Sequence, residues 1–212
     1  AHAQQLPFNN DFFDAIVTDP PYYDNIYYSI LADFFYAWKK PLLKKLEPEL
    51  FSKSITDCRY ELVASSRRVE EGQSAHEEYC KQLNQAFLEA ARVLKKDGVF
   101  SFVYSHSSVN GWESVIRAYR QSPFMVSSVQ PLSIERKGRP RAVLSQAINT
   151  CVAIVARKSS ERKIPIMMDD ILYKTQEYVD TFGKQLIDKS GWTQPDAGLA
   201  VIACVVGLLA NA

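Results

Sequence analysis

Apolar residues along this chain recur with two spacings, alternate or continuous runs typical of strands and three-to-four-residue repeats typical of helices. After a turn-like stretch, FNNDFF at 8–13, the run Asp14-Ala15-Ile16-Val17-Thr18 predicts a short strand, read as a buried parallel one. It stops at Asp19-Pro20-Pro21, because proline cannot donate to a ladder. Ile26, Ile30, Phe34 and Trp38, flanked by Leu31 and Phe35, predict a largely buried helix over 25–45, with Asp24 as its cap. Pro41 is expected to kink or end its regular part. Residues 46–75 show no period and predict a long irregular, mobile segment. Tyr79, Leu83, Phe87, Ala90, Ala91 and Leu94 predict a second helix over 76–95, with Gly98 as a left-handed cap beyond it. Strands follow at 99–104, 125–129 and 150–156, and helices at 112–119, 171–186 and 197–209. Helices alternating with strands predict an α/β fold with a mostly parallel sheet. The short link between the last two strands predicts a C-terminal antiparallel hairpin at one edge.

Composition narrows the function classes. The chain has 212 residues, 47% hydrophobic and 23% charged, as an ordinary globular domain does. Disordered, collagen-like and low-complexity classes are thereby excluded. A net charge of +1 excludes a strongly basic footprint, so any nucleic-acid contact must come from local patches. Cys58, Cys80, Cys151 and Cys204 are far apart and read as buried thiols in a reducing, cytoplasmic compartment. His2, His76 and His106 are scattered, so no metal site is expected. The longest apolar run, 197–210, falls short of the roughly 20 residues of a membrane span and predicts a buried helix.

The sharpest chemical signal is Asp19-Pro20-Pro21-Tyr22 directly after a strand. Such a tetrapeptide arises by chance in roughly one chain in a thousand of this length. An amino group on a nucleobase ring is a poor nucleophile, because its lone pair is delocalised into the ring. Hydrogen-bond acceptors that hold its hydrogens favour a pyramidal, reactive nitrogen. Asp19 offers a carboxylate, and Pro20 a carbonyl on a fixed backbone. Pro21 stiffens the loop, and Tyr22 offers a face for an extruded base, worth about 1–3 kcal/mol of stacking. A rigid turn with a surface tyrosine, or Asp19 as a helix cap, is the plainer alternative.

The DPPY tetrapeptide after a strand resembles the hallmark of S-adenosylmethionine-dependent amino-methyltransferases of DNA. The stretch LPFNNDFFDAIVTDPPYYDNIYYSILADFFYAW is similar to the DUF1156 group of adenine-specific DNA methylases, as are ARVLKKDGVFSFVYSH and NTCVAIVARK. The resemblance implies a Rossmann-like class I methyltransferase sheet, S-adenosylmethionine as cofactor and DNA as partner. It assigns catalysis to Asp19, Pro20, Pro21 and Tyr22. Tyr23, Asp24 and Asn25 would line the mouth, and Tyr27 and Tyr28 would stack on neighbouring bases or in the core. His2 and Asp19 would face the cofactor, His2 standing where relatives often carry an acid. Residues 1–158 would form the catalytic, target-facing part, and 159–212 a helical extension. The chain departs from the pattern in one respect: none of its eight glycines forms a GxG. The N-terminal strands with the glycine-rich cofactor loop are therefore expected to be missing, supplied by another segment or a second chain.

Secondary candidates are weaker. Arg136, Lys137, Arg139 and Arg141 form a basic turn that could hook a minor groove or touch phosphates. Lys39, Lys40, Lys44 and Lys45 read as a solvated helix end, and Arg67-Arg68 as a solvated pair or a DNA clamp. Ser105-His106-Ser107 has no acid in view for a nucleophilic site, so His106 is placed at the surface or the site mouth. Two rival readings stay open. One is amino-methylation of RNA or protein, and the other is a non-catalytic or split subunit.

Overall fold

The computed structural model describes residues 2–59, 61–133, 150–161, 163–183 and 194–212. The elements in order are β1 (Phe13–Thr18), α1 (Tyr28–Leu43), α2 (Ala75–Val93), β2 (Leu94–Tyr104), α3 (Val109–Arg120), β3 (Phe124–Ser133), β4 (Thr150–Lys158), α4 (Met168–Tyr178) and α5 (Gln194–Ala210). A 3-10 turn at Ser66–Arg68 and a π-helical turn at Val179–Gly183 complete the set. The fold is α/β, as expected.

The four strands form one sheet in the order β1-β2-β4-β3. β1 and β2 are parallel, with Val17 opposite Ser101 and Thr18 opposite Phe102. β4 runs antiparallel to both β2 and β3. The sheet is therefore mixed, and the expectation of a mostly parallel sheet is corrected. The cause is the hairpin. Its second strand folds into the slot between β2 and β3, so β3 and not β4 becomes the edge. The continuous apolar run of β4 suits that interior place: Cys151, Val152, Ile154 and Ala156 are all buried.

The core lies on one face of the sheet. Phe100, Phe102 and Tyr104 of β2 and Val152, Ile154 and Ala156 of β4 point into it. α2, α3 and α5 cover them with Leu83, Phe87, Val115, Tyr119, Leu199 and Ala203. Phe87 sits at the centre, 5.1, 5.0 and 4.8 Å from the rings of Phe100, Phe102 and Tyr119. Phe100 stacks on Phe124 at 4.5 Å. The last helix, expected to be buried, buries one face in this core through Leu199, Ala203, Val206 and Ala210, while Ile202 is exposed. No described helix is long and apolar enough to cross a membrane. The cysteines form no disulfide; Cys80 and Cys151 are buried and Cys58 and Cys204 half-buried.

Helix α2 starts at Ser74, whose side chain accepts from the Glu77 N–H, and gains from Glu77 and Glu78 in its first turn. Its end departs from the expectation. The chain passes at Leu94 straight into β2, and Gly98 lies within that strand without a positive φ. Glycine is needed there for space. A Cβ would lie 2.7 Å from the Leu94 side chain and 3.0 Å from the Asp14 carbonyl oxygen. Gly98→Ala is expected to cost about 1–3 kcal/mol in urea unfolding, and no loss would contradict the packing.

The segment before β1 runs alongside α2. Leu6 N donates to Glu89 Oε1 at 2.7 Å. The Arg92 guanidinium donates to the Phe8 carbonyl, the Asn10 side chain and Glu89. Asp11 N and Phe12 N then bond the Arg92 and Val93 carbonyls, delivering the chain into β1. The guanidinium beside Glu89 holds its carboxyl down at about 2. A carboxyl depressed by folding stabilises above its unfolded pKa and loses that contribution as pH falls. The denaturation midpoint should therefore drop from about pH 4.3 towards 2, and Glu89→Gln should flatten that part of the profile.

Two burial expectations are corrected. β1 is an edge strand, with Val17 75% exposed, and not a buried one. None of the residues of α1 is buried. Its regular part starts at Tyr28 without a side-chain cap, so Asp24 does not cap it, and it continues through Pro41 to Leu43. The following segment is irregular, as expected, but tethered to the polar side of α1. Thr56 N donates to Asp33 at 2.8 Å, and Tyr36 and Lys40 donate to the Lys53 carbonyl. The segment then buries Val63, Ala64 and Ser65.

Candidate functional site

The DPPY loop leaves the C-terminal end of β1 beside the same end of β2. Asp19 and Pro20 each precede a proline, which biases both to extended backbone. Asp19 is exposed, Pro20 and Pro21 are half-buried, and neither proline has an N–H to place in a ladder. The Tyr22 hydroxyl donates to Asp19 Oδ1 at 2.5 Å. The Tyr22 ring meets Tyr104 edge-on, with centroids 5.3 Å apart. Tyr104 is itself held by its hydroxyl, which donates to the Gly111 carbonyl at 3.1 Å. The sequence thus places an acid and a ring together, and the fold backs the ring with a buried one.

Tyr23 makes the loop turn. Its φ is +51°, a left-handed conformation costing of order 1–3 kcal/mol outside glycine. Burial of its ring offsets that cost. Tyr23 is 8% exposed, with centroids 5.1 Å from Tyr79, 5.4 Å from His106 and 5.8 Å from His76. Its hydroxyl and His76 Nδ1 are hydrogen-bonded at 3.0 Å, and its carbonyl accepts from Ala64 N at 2.9 Å. Burial, with the Asp24 charge beside it, pushes its phenol above the ordinary value. Tyr23, expected at the mouth, is instead the plug that anchors the loop to the core.

The next residue carries a second anchor. Asp24 Oδ1 lies 3.0 Å from His106 Nε2. The Ser108 N–H donates to His106 Nδ1 at 3.0 Å, so Nδ1 accepts and Nε2 is left to donate to Asp24. The Ser108 hydroxyl, 2.8 Å from the same nitrogen, also caps α3 by accepting from Gly111 N. His106 is therefore buried, at 5% exposure, and not at the surface. The acid that Ser105-His106-Ser107 seemed to lack is Asp24, yet the serine in contact is Ser108, committed as a cap. The signal was in the sequence as His-x-Ser-x-x-Gly: Gly111 is obligatory, since a Cβ there would lie 2.6 Å from the His106 ring. This unit positions the loop.

The remaining candidates spread out. Asn25 N donates to the Tyr22 carbonyl at 3.0 Å, closing a turn, and its side chain is exposed. Tyr27 and Tyr28 are exposed at the start of α1 and do not join the core. His2 bridges to Gln5 in the segment beside α2, where Gln4 reaches Gln82. Arg136, Lys137, Arg139 and Arg141 lie outside the described residues. Arg67 is exposed on the 3-10 turn. Lys40 lies over the Tyr36 ring, and Lys39, Lys44 and Lys45 are exposed. No group of three metal-ligating side chains occurs among the described residues.

The arrangement presents an exposed carboxylate on a proline-stiffened loop, an aromatic face beside it, and a turn locked from behind by α2, β2 and α3. That is a preorganised acceptor for a planar group bearing N–H donors. Comparison with protein-family models, with curated proteins and with solved structures finds no match.

Proposed function

We propose that the chain is the target-holding part of an S-adenosylmethionine-dependent DNA amino-methyltransferase acting on adenine N6. The observation that carries this reading is the exposed Asp19 carboxylate, bridged to Tyr22 at the carboxyl end of β1. Ligands of open α/β sheets bind at that end. An extruded adenine stacks on Tyr22, and its amino hydrogens are shared between Asp19 and the Pro20 carbonyl. The Tyr22–Asp19 bond holds the ring and the acid at one spacing until the amino group takes over that oxygen. The proton released from the nitrogen passes to Asp19 or to water. S-adenosylmethionine would supply the methyl group. The described residues do not fit that whole cofactor. Gly72 is the only glycine at positive φ among them, it lies far from β1 in sequence, and no GxG exists in the chain. A glycine-rich cradle of that family's kind is not among the residues of this sequence.

The test is methyl transfer by the assembled enzyme to duplex DNA, RNA and protein acceptors. Transfer to adenine in DNA is expected, and transfer to RNA or protein alone would replace the substrate. Tyr22 gives a finer check. Tyr22→Ala is expected to weaken DNA-substrate binding roughly 5- to 150-fold through lost stacking. Tyr22→Phe, which keeps the ring, should retain most of it. Equal losses in both would contradict stacking.

A further inference from the structure

Ile30, Leu31, Phe34, Phe35, Trp38 and Leu42 occupy about 140° of the circumference of α1. All six are exposed, Phe34 by 64% and Trp38 by 70%. Phe34 meets Phe35 and Trp38 with centroids 5.3 and 6.5 Å apart, so the stripe is continuous. The opposite side of the helix is already in use. Ser29 N donates to Glu61, Thr56 N to Asp33, and Tyr36 and Lys40 to the Lys53 carbonyl. From these exposures and typical residue areas, the six residues present about 800 Å² of apolar surface. The largest patch on an ordinary monomer is about 300–600 Å², and a stable interface takes about 800 Å² from each partner.

The row at the centre of the stripe is Tyr27, Leu31, Phe34 and Trp38, spaced four, three and four residues apart. That is the a/d spacing of paired helices. The row is complementary to itself when reversed. In an antiparallel register whose facing positions sum to 65, Tyr27 faces Trp38 and Leu31 faces Phe34, each pair occurring twice about a two-fold axis. Ile30 and Phe35, on the two flanks, face each other in the same register. Every layer sets a smaller side chain against a larger one, which suits close packing between helix axes about 8–10 Å apart. Charge favours the same direction. Lys39, Lys44 and Lys45 are exposed at the carboxyl end of α1, and Asp19 and Asp24 are exposed in the loop ahead of its amino end. An antiparallel pair lays the cationic end of each helix beside the acidic loop of the other copy, whereas a parallel pair brings like charges together.

We infer that the apolar stripe of α1 is a homodimer interface, in which two copies of this chain pair α1 with α1, antiparallel about a two-fold axis, with Leu31 against Phe34. A two-fold contact uses the same patch on both copies, so one association covers both stripes and leaves no surface for a third copy. It also sets the lysine end of each α1 beside the diproline loop of the other copy. Pairing of this kind needs neither a cofactor nor methyl transfer, so it stands or falls apart from the methyltransferase reading.

The test is sedimentation equilibrium of the full chain. The expected result is a species of twice the chain mass, predominant at about 50 µM, as interfaces of this area bind micromolar or tighter. Trp38→Glu should weaken the dimer about 30-fold or more, as loss of a buried tryptophan hot spot does. Its circular dichroism should match the wild type, because Trp38 is exposed in the single chain. Leu172→Glu on α4, at an exposed position outside the stripe, should leave the dimer unchanged. The register has its own readout. Leu31→Cys and Phe34→Cys chains, one of them tagged, are mixed and oxidised, and disulfides should join 31 to 34 across copies in preference to 31 to 31 or 34 to 34. A monomer at about 50 µM, a dimer as tight in Trp38→Glu as in the wild type, or a preference for the 31–31 and 34–34 bonds would overturn the inference. So would photo-cross-linking in cells that make the protein, with benzoylphenylalanine in place of Phe34, if it joins the stripe to a different polypeptide and not to a second copy.

Discussion

Replacing Asp19 by alanine is expected to lower methyl incorporation into DNA by the assembled enzyme about 100- to 1,000-fold, the usual effect of removing one preorganised hydrogen-bond partner from a reacting group. The fold should survive. Asp19 is exposed and its bond from the Tyr22 hydroxyl contributes about 1 kcal/mol. Asp19→Asn is the sharper variant. It keeps one acceptor oxygen but turns an N–H₂ towards the target amino group, so it should recover little of the lost rate. Labelled methyl transfer to a DNA duplex reads both. Wild-type incorporation by Asp19→Ala would remove the carboxylate from the chemistry and leave the diproline loop as a rigid turn.

Tyr23→Ala is expected to have the largest effect on stability, about 3–5 kcal/mol, the range for truncating a buried aromatic. The ring fills the space between His76, Tyr79 and His106, so its loss opens a cavity at the junction of α2 with the loop. Alanine also keeps the strain of the left-handed backbone while losing the burial that offsets it. Tyr23→Phe should cost only about 1–2 kcal/mol, because it keeps the ring and gives up the hydroxyl's bonds to His76 and Asn110. Activity should track the ring. A displacement of Asp19 by an ångström costs about 100-fold in rate, so Tyr23→Ala enzyme that still folds should be poor and Tyr23→Phe nearly normal. Urea unfolding with methyl transfer on the same samples checks this. Full activity in Tyr23→Ala would show that the loop keeps its shape without its plug.

Much of this is legible in the sequence itself. The DAIVT run and its diproline stop locate β1 and the loop, because proline's missing donor is a local property. Helix α2 was readable from Tyr79, Leu83 and Phe87, whose spacing matches a buried face. The interior place of β4 was not, since a continuous apolar run marks burial without naming neighbours. The role of Tyr23 was hidden for a similar reason. Tyr22 and Tyr23 are chemically alike, and only the sign of one φ angle sends the first ring to the Asp19 carboxylate and the second into the core. Gly98 was misread because glycine serves both as a helix cap and as a gap between strands; which applies depends on Leu94 and Asp14.

Local rules thus suffice for where the chain bends and for which side chains stand together in the diproline loop: backbone geometry, hydrophobic period and the donor set of a few residues. Contacts between distant segments decided the rest. They inserted β4 between β2 and β3, buried His106 against Asp24, and, among the described residues, left the apolar stripe of α1 and the edge of β1 open. A periodic pattern states which face wants to leave water, and the contents of the space beside it are settled only when the whole sheet is assembled.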